Sequence, residues 1–180
     1  MEIDYIIVGA GLAGISIGLE LHERGKKLLI IDEDIESTSS KIAAGIVNPI
    51  VPKRILKTWM CDEIIPRVDP FYKKWESLCK AKFYDNVPIL QIHSSAQESN
   101  EWASRYENLK NYIQIGAGTL PANIIAPFGY SQTLQSGRLN VAEYCKSGLR
   151  LLQQFHTQAK EFFQYSKFYP GRSGIFLRIP

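Results

Sequence analysis

Hydrophobic positions open the chain in one rhythm and then switch to another. Ile3 to Val8 is a short, mostly apolar run rich in β-branched residues. That is the pattern of a buried parallel strand, and it ends on glycines instead of polar turn residues. From Leu12 to Glu23 the spacing becomes helical, with Leu12, Ile15, Leu19 and His22 on one face and Gly25 placed to stop the helix with a left-handed cap. Lys27 to Ile31 is a second strand-like run. Strand, helix and strand within about 30 residues predict the right-handed crossover of an open α/β sheet.

Periodicity lapses from Ser37 to Lys53, a stretch rich in serine, glycine and proline that reads as a loop. Two helical stretches follow, Leu56 to Ile65 and Pro70 to Lys80, broken near Pro66, with Phe71, Trp75 and Leu78 on a core face. Val87 to His93 reads as a strand, Ala96 to Tyr106 as a polar helix carrying Trp102, and Asn111 to Ile115 and Ile124 to Gln132 as further strands. Asn140 with Glu143 forms a capping box for an amphipathic helix whose inward face runs Tyr144, Gly148, Leu152, Phe155, Ala159 and Phe162. Pro170, Gly171 and Gly174 signal a turn before a last run, Ile175 to Ile179. The chain thus divides into 1–55, a βαβ unit with its following loop; 56–135, mixed α+β; and 136–180, the helix and an atypical tail.

Composition narrows the function classes. The 180 residues are 45% hydrophobic, enough for an ordinary core, and a net charge of +3 from 21 basic and 18 acidic side chains is too weak and dispersed for a nucleic-acid groove. The charge-free run Tyr5 to Leu19 is shorter than a membrane span and interrupted by glycines, and acidic Glu2 and Asp4 stand where a signal peptide carries positive charge. Neither membrane nor nucleic acid is expected as a partner. Cys61, Cys79 and Cys145 form no CxxC pair, and a reducing, cytoplasmic setting is the expectation. His22, His93 and His156 lie far apart in sequence, so no metal site is read from them.

The chemistry sits in the glycine-rich turn. Gly9 permits a tight turn out of the first strand, Gly11 lets backbone approach a pyrophosphate, and Gly14 allows close packing of helix on strand. The amides of Leu12, Ala13 and Gly14 then open a helix whose N-terminal dipole favours phosphate without any basic residue. Asp32, at the end of the second strand, is placed to accept hydrogen bonds from ribose hydroxyls and to repel a 2′-phosphate. FAD and NAD both fit these features.

The loop after the second strand separates them. Ser39, Ser40, Lys41, Ile42, Ala43, Ala44, Gly45, Ile46, Val47, Asn48, Pro49 resembles the flavin-contacting segment of the D-amino-acid oxidase and glycine oxidase (DAO) family of FAD-dependent oxidoreductases. Small residues at Ala43, Ala44 and Gly45, continuing into Ile46, bring backbone close to a flat ring, while the Ser40 hydroxyl can reach phosphate. Lys53 and Arg54 read as solvated charges. Pro127 to Gly129 and Gly137, Arg138, Leu139, Asn140 resemble the family more loosely, and the likeness covers about residues 1 to 150.

The resemblance implies a Rossmann-like FAD-binding βαβ domain with part of an α+β substrate domain, FAD as cofactor, and oxidation of a C–N bond in a small amine or amino acid. It also implies a second half carrying the substrate-binding arginine, the residues lining the flavin ring and the returning part of the sheet. A partial chain is therefore the expectation, and no catalytic residue is assigned. The alternatives are a catalytically inactive FAD-binding module and an NAD-dependent dehydrogenase. Ser39 and Ser40 lack the surroundings of a nucleophile, and the adjacent pairs Asp62 with Glu63 and Asp32 with Glu33 point to different faces, so they read as solvated.

Overall fold

The computed structural model describes residues 3–33, 39–116, 120–164, 166, 168–171 and 174–177. Glu2, the start of the serine-rich loop at 37–38 and the end of the expected terminal strand at 178–179 lie outside them. In chain order the elements are β1 (Tyr5–Val8), α1 (Leu12–Glu23), β2 (Leu28–Ile31), α2 (Ser39–Ile42), β3 (Ile46–Val47), β4 (Ile50–Val51), β5 (Leu56–Lys57), α3 (Cys61–Cys79) and β6 (Tyr84–Asn86). They continue with β7 (Ile89–Ile92), α4 (Ala96–Leu109), β8 (Ile113–Ile115), β9 (Tyr130–Thr133), β10 (Gly137–Leu139), α5 (Val141–Leu152), β11 (Thr157–Ala159), β12 (Phe168–Gly171) and β13 (Gly174–Leu177). The fold is mixed α/β and falls into two compact units, Met1–Ala43 with Tyr144–Pro180, and Ala44–Glu143.

The first unit is built on a parallel sheet of order β1-β2-β11. β1 and β2 pair from Tyr5 with Leu28 to Val8 with Ile31, joined by α1 as the alternation of apolar runs and helical spacing predicts. Ile15 and Leu19 of α1 are buried, as are Leu28, Ile30 and Ile31 of β2. Gly25 follows the helix, its amide donating to the His22 carbonyl.

The C-terminal half of this unit departs from the sequence reading. The amphipathic helix expected to run through Phe162 ends at Leu152. After a turn closed by the Phe155 and His156 amides on the Leu152 carbonyl, the chain enters β11 parallel to β2. A further helical turn would have left β2 with an open edge; pairing Thr157 to Ala159 with Leu29 to Ile31 satisfies both backbones. Phe155 and Phe162 are accordingly 61% and 65% exposed, off any inward helical face. This third strand of the sheet was not expected from the sequence. The capping residue is as predicted, the Glu143 amide donating to Asn140 Oδ1 at 3.1 Å.

The second unit holds three small antiparallel arrangements, β3-β10-β6, β7-β9-β8 and the pair β4-β5. Its core gathers Ile50, Ile55, Cys61, Ile65, Trp102, Leu109, Tyr112 and Ile113. The predicted break at Pro66 does not occur: α3 runs unbroken through Pro66 and Pro70, and Leu56–Lys57 is strand. Both prolines lie on the exposed face, where carbonyls robbed of their amide partners meet solvent, while Ile65 and Trp75 anchor the buried face. Leu78, expected in the core, is 53% exposed. Asp62 is more than solvated, accepting hydrogen bonds from Lys57 Nζ and from Tyr112 Oη at 2.7 Å. The run Ile124 to Gln132 is strand only from Tyr130, and the adjoining turn positions β9 between β7 and β8.

Candidate nucleotide-binding site

The glycine turn is held in a shape that only small residues allow. Gly9 leaves β1 at φ +91°, outside the range of ordinary side chains. A Cβ at Gly14 would collide with the Gly9 carbonyl oxygen, so the first turn of α1 presses directly on the backbone of the loop. Space over Gly11 is less restricted, a Cβ there falling 2.7 Å from the Ser40 hydroxyl, a side-chain end that can rotate. The positive φ of Gly9 and the tight packing at Gly14 match the turn and the close helix-on-strand approach that the spacing predicts.

The N-terminus of α1 begins at Gly11 with no side-chain cap on that residue. The Leu12 amide donates to Ser40 Oγ at 3.2 Å. Among the described residues the amides of Ala13 and Gly14 have no acceptor, as expected for the second and third positions of a helix. Two orphan donors and the positive end of a helix dipole therefore converge on the glycine turn, with Ser40 completing the cradle.

Asp32 is fixed from two sides. Its own amide donates to the Ala159 carbonyl of β11 at 3.1 Å, and its Oδ1 accepts from the Ala10 amide at 2.8 Å. The carboxylate thus braces the glycine loop as well as facing the end of the sheet. A cavity of about 200 Å³ opens beside it, between Gly9, Asp32 and Glu33 on one side and Glu161, Phe162 and Phe163 on the other. Its walls carry three carboxylates and two aromatic rings, a chemistry suited to ribose hydroxyls and a flat base and hostile to a further phosphate.

The remaining loop residues divide. Ser40 and Ala43 belong to the first unit, with Ala43 exposed. Ala44, Gly45 and Ile46 belong to the second, where Ala44 and Ile46 are exposed. Gly45 has a structural duty that the sequence did not show: it abuts the Leu139 carbonyl, and its own carbonyl accepts the Leu139 amide at 2.8 Å. Glu161 to Phe163 escaped sequence reasoning because a helical face was traced through them, and no motif marks the short strand that precedes them. A roomier cavity of about 360 Å³ in the second unit, beside Lys82 and Arg138, has no glycine turn or helix N-terminus in its wall.

The histidines were read as isolated, yet His22 and His156 meet at 3.0 Å, brought together by the return of the chain along β2. His93 is buried, its Nε2 2.9 Å from Ser131 Oγ and its ring stacked on Trp102. No helix among the described residues is long and apolar enough to cross a membrane.

The model of a family described as FAD dependent oxidoreductase, DAO, matches residues 4–162. No curated protein matches the chain. Solved structures do: glycine oxidase from Geobacillus kaustophilus has a TM-score of 0.73 at 13% identity, covering 97% of this chain and 53% of that one. Glycine oxidase from Bacillus cereus ATCC 14579 has a TM-score of 0.69 at 18% identity, covering 98% of this chain and 54% of that one. L-Amino acid deaminase from Proteus myxofaciens, in complex with anthranilate, has a TM-score of 0.69 at 14% identity, covering 87% of this chain and 38% of that one. At such identities the likeness is one of fold, and the chain spans about half the length of the two glycine oxidases. The orphan amides, the glycine contacts and Asp32 occupy the part of the chain that the family model covers, and the chain belongs to the DAO family of FAD dependent oxidoreductases.

Proposed function

We propose that this chain binds FAD at the β1–α1 turn and serves the oxidation of a C–N bond in a small amine or amino acid. The observation that carries the reading is the cradle itself: a backbone pressed too close for any Cβ at Gly14, opening two unpaired amides beside a braced acid. Gly9, Gly11, Leu12, Ala13 and Gly14 hold the pyrophosphate in this account, with the Ser40 hydroxyl as a further donor. Asp32 receives the ribose hydroxyls, its free rotation limited by the Ala10 amide. Ala43, Ala44, Gly45 and Ile46 are the backbone approach to the flavin ring. Bound FAD would supply the two-electron oxidation of the C–N bond.

Family membership favours FAD over NAD, and the acidic cavity beside Asp32 disfavours any nucleotide with a 2′-phosphate. No residue here is assigned to substrate or to proton transfer. The alternative is a flavin-binding module without turnover of its own. Titration of FAD followed by flavin fluorescence tests binding, and peroxide release on a panel of amines and amino acids tests turnover. Binding with peroxide release supports the oxidase; binding alone supports the module; a folded chain that takes up no FAD defeats both.

A further inference from the structure

His22 ends α1 and His156 lies in the turn between α5 and β11, 134 residues apart in sequence, and both belong to the first unit. His22 Nδ1 and His156 Nε2 stand 3.0 Å apart, with the rings at 85° to each other and 5.0 Å between centroids. Phe155 covers a face of His22 at 4.8 Å. Both imidazoles are half-buried, so solvent reaches the pair from outside while a protein wall backs it.

We propose that His22 and His156 form a bis-imidazole site for a divalent transition metal of the nickel and copper class. Metal–imidazole bonds of about 2.05 Å with nitrogens 3.0 Å apart subtend an angle of about 94° at the metal, near the right angle of square-planar and octahedral centres and well below the tetrahedral value preferred by zinc. In the metal-free pair one facing nitrogen donates its proton to the other; on binding, that ring gives up this proton to solvent and takes one at its far nitrogen, so that each ring ligates through the nitrogen turned to its neighbour and water fills the other positions. A metal here ties the end of α1 to the turn that feeds β11, the strand whose Ala159 carbonyl holds the Asp32 amide.

The test uses the full chain, free of any affinity tag, titrated with Ni²⁺ by calorimetry. One equivalent is expected to bind, with at least a tenfold loss of affinity in His22→Gln and in His156→Gln; equal affinity in wild type and both variants overturns the site. Should the variants fail to fold, imidazole acylation by diethyl pyrocarbonate on the wild-type chain decides. Protection of both His22 and His156 by one equivalent of Ni²⁺ supports the proposal, and unchanged labelling of either refutes it.

Discussion

Asp32 couples the shape of the glycine turn to the nucleotide it is proposed to hold. Its Oδ1 takes the Ala10 amide, so replacing it removes a charge-assisted bond within the loop as well as a ribose acceptor. Asp32→Ala is expected to weaken FAD binding by about 1.5–3 kcal/mol, roughly ten- to a hundredfold, measured by fluorescence titration. The placement of an acid at the end of the second strand was legible. The brace was not, because nothing in a sequence shows which of two oxygens turns back to Ala10. His22 and His156 were illegible for a different reason: their meeting depends on a chain return, not on spacing.

A second residue carries a pH dependence. Burial raises the Glu76 carboxyl, but the Tyr84 and Phe83 amides and the Lys82 ammonium outweigh it and hold the group below its ordinary 4.5. Because the folded value is depressed, this contribution to stability is fully present above about pH 4.5 and is lost as pH falls from there through the folded value. Urea midpoints between pH 6 and pH 3 are expected to fall more steeply for wild type than for Glu76→Gln. Glu76→Ala, which strands two amides held at 2.7 and 2.8 Å, is expected to cost about 1–3 kcal/mol at neutral pH.

At the scale of elements, α1 and α5 meet through glycines. Gly18 of α1 receives Leu152 of α5, and Gly148 of α5 receives Ile15 and Leu19 of α1, so each helix seats the other's side chains where it has none. Filling that space by Gly148→Leu is expected to cost about 1–3 kcal/mol, lowering the melting temperature by about 2–4 °C per kcal/mol. The contact was legible as the inward face Tyr144, Gly148, Leu152. Where α5 ends was not, since Phe155, Ala159 and Phe162 continue the helical spacing and only the open edge of β2 stops it. α3 shows the opposite case: Pro66 predicts a break, but a proline on the solvent face is tolerated where Ile65 and Trp75 hold the other face buried.

For the whole molecule, residues 3–32 were readable nearly to the residue because strand, turn and helix each obey a local rule there. Beside α3 and α4, the second unit is built of strands of two to four residues, too short for any periodicity to register, and its sheets depend on pairings distant in sequence. Binding should register as a gain in the stability of the folded chain. FAD at a hundred times its dissociation constant is expected to stabilise the chain by about 2.7 kcal/mol, seen as a rise in melting temperature that NAD and NADP do not produce.

The most direct measurement is a titration of FAD into the folded, flavin-free chain, read by flavin fluorescence and repeated on Gly11→Val. The predicted result is saturable binding of one FAD per chain to the wild type, lost when a side chain stands over the turn. No binding by the folded wild-type chain, or equal binding by Gly11→Val, would contradict the assignment of the β1–α1 turn as a flavin nucleotide cradle.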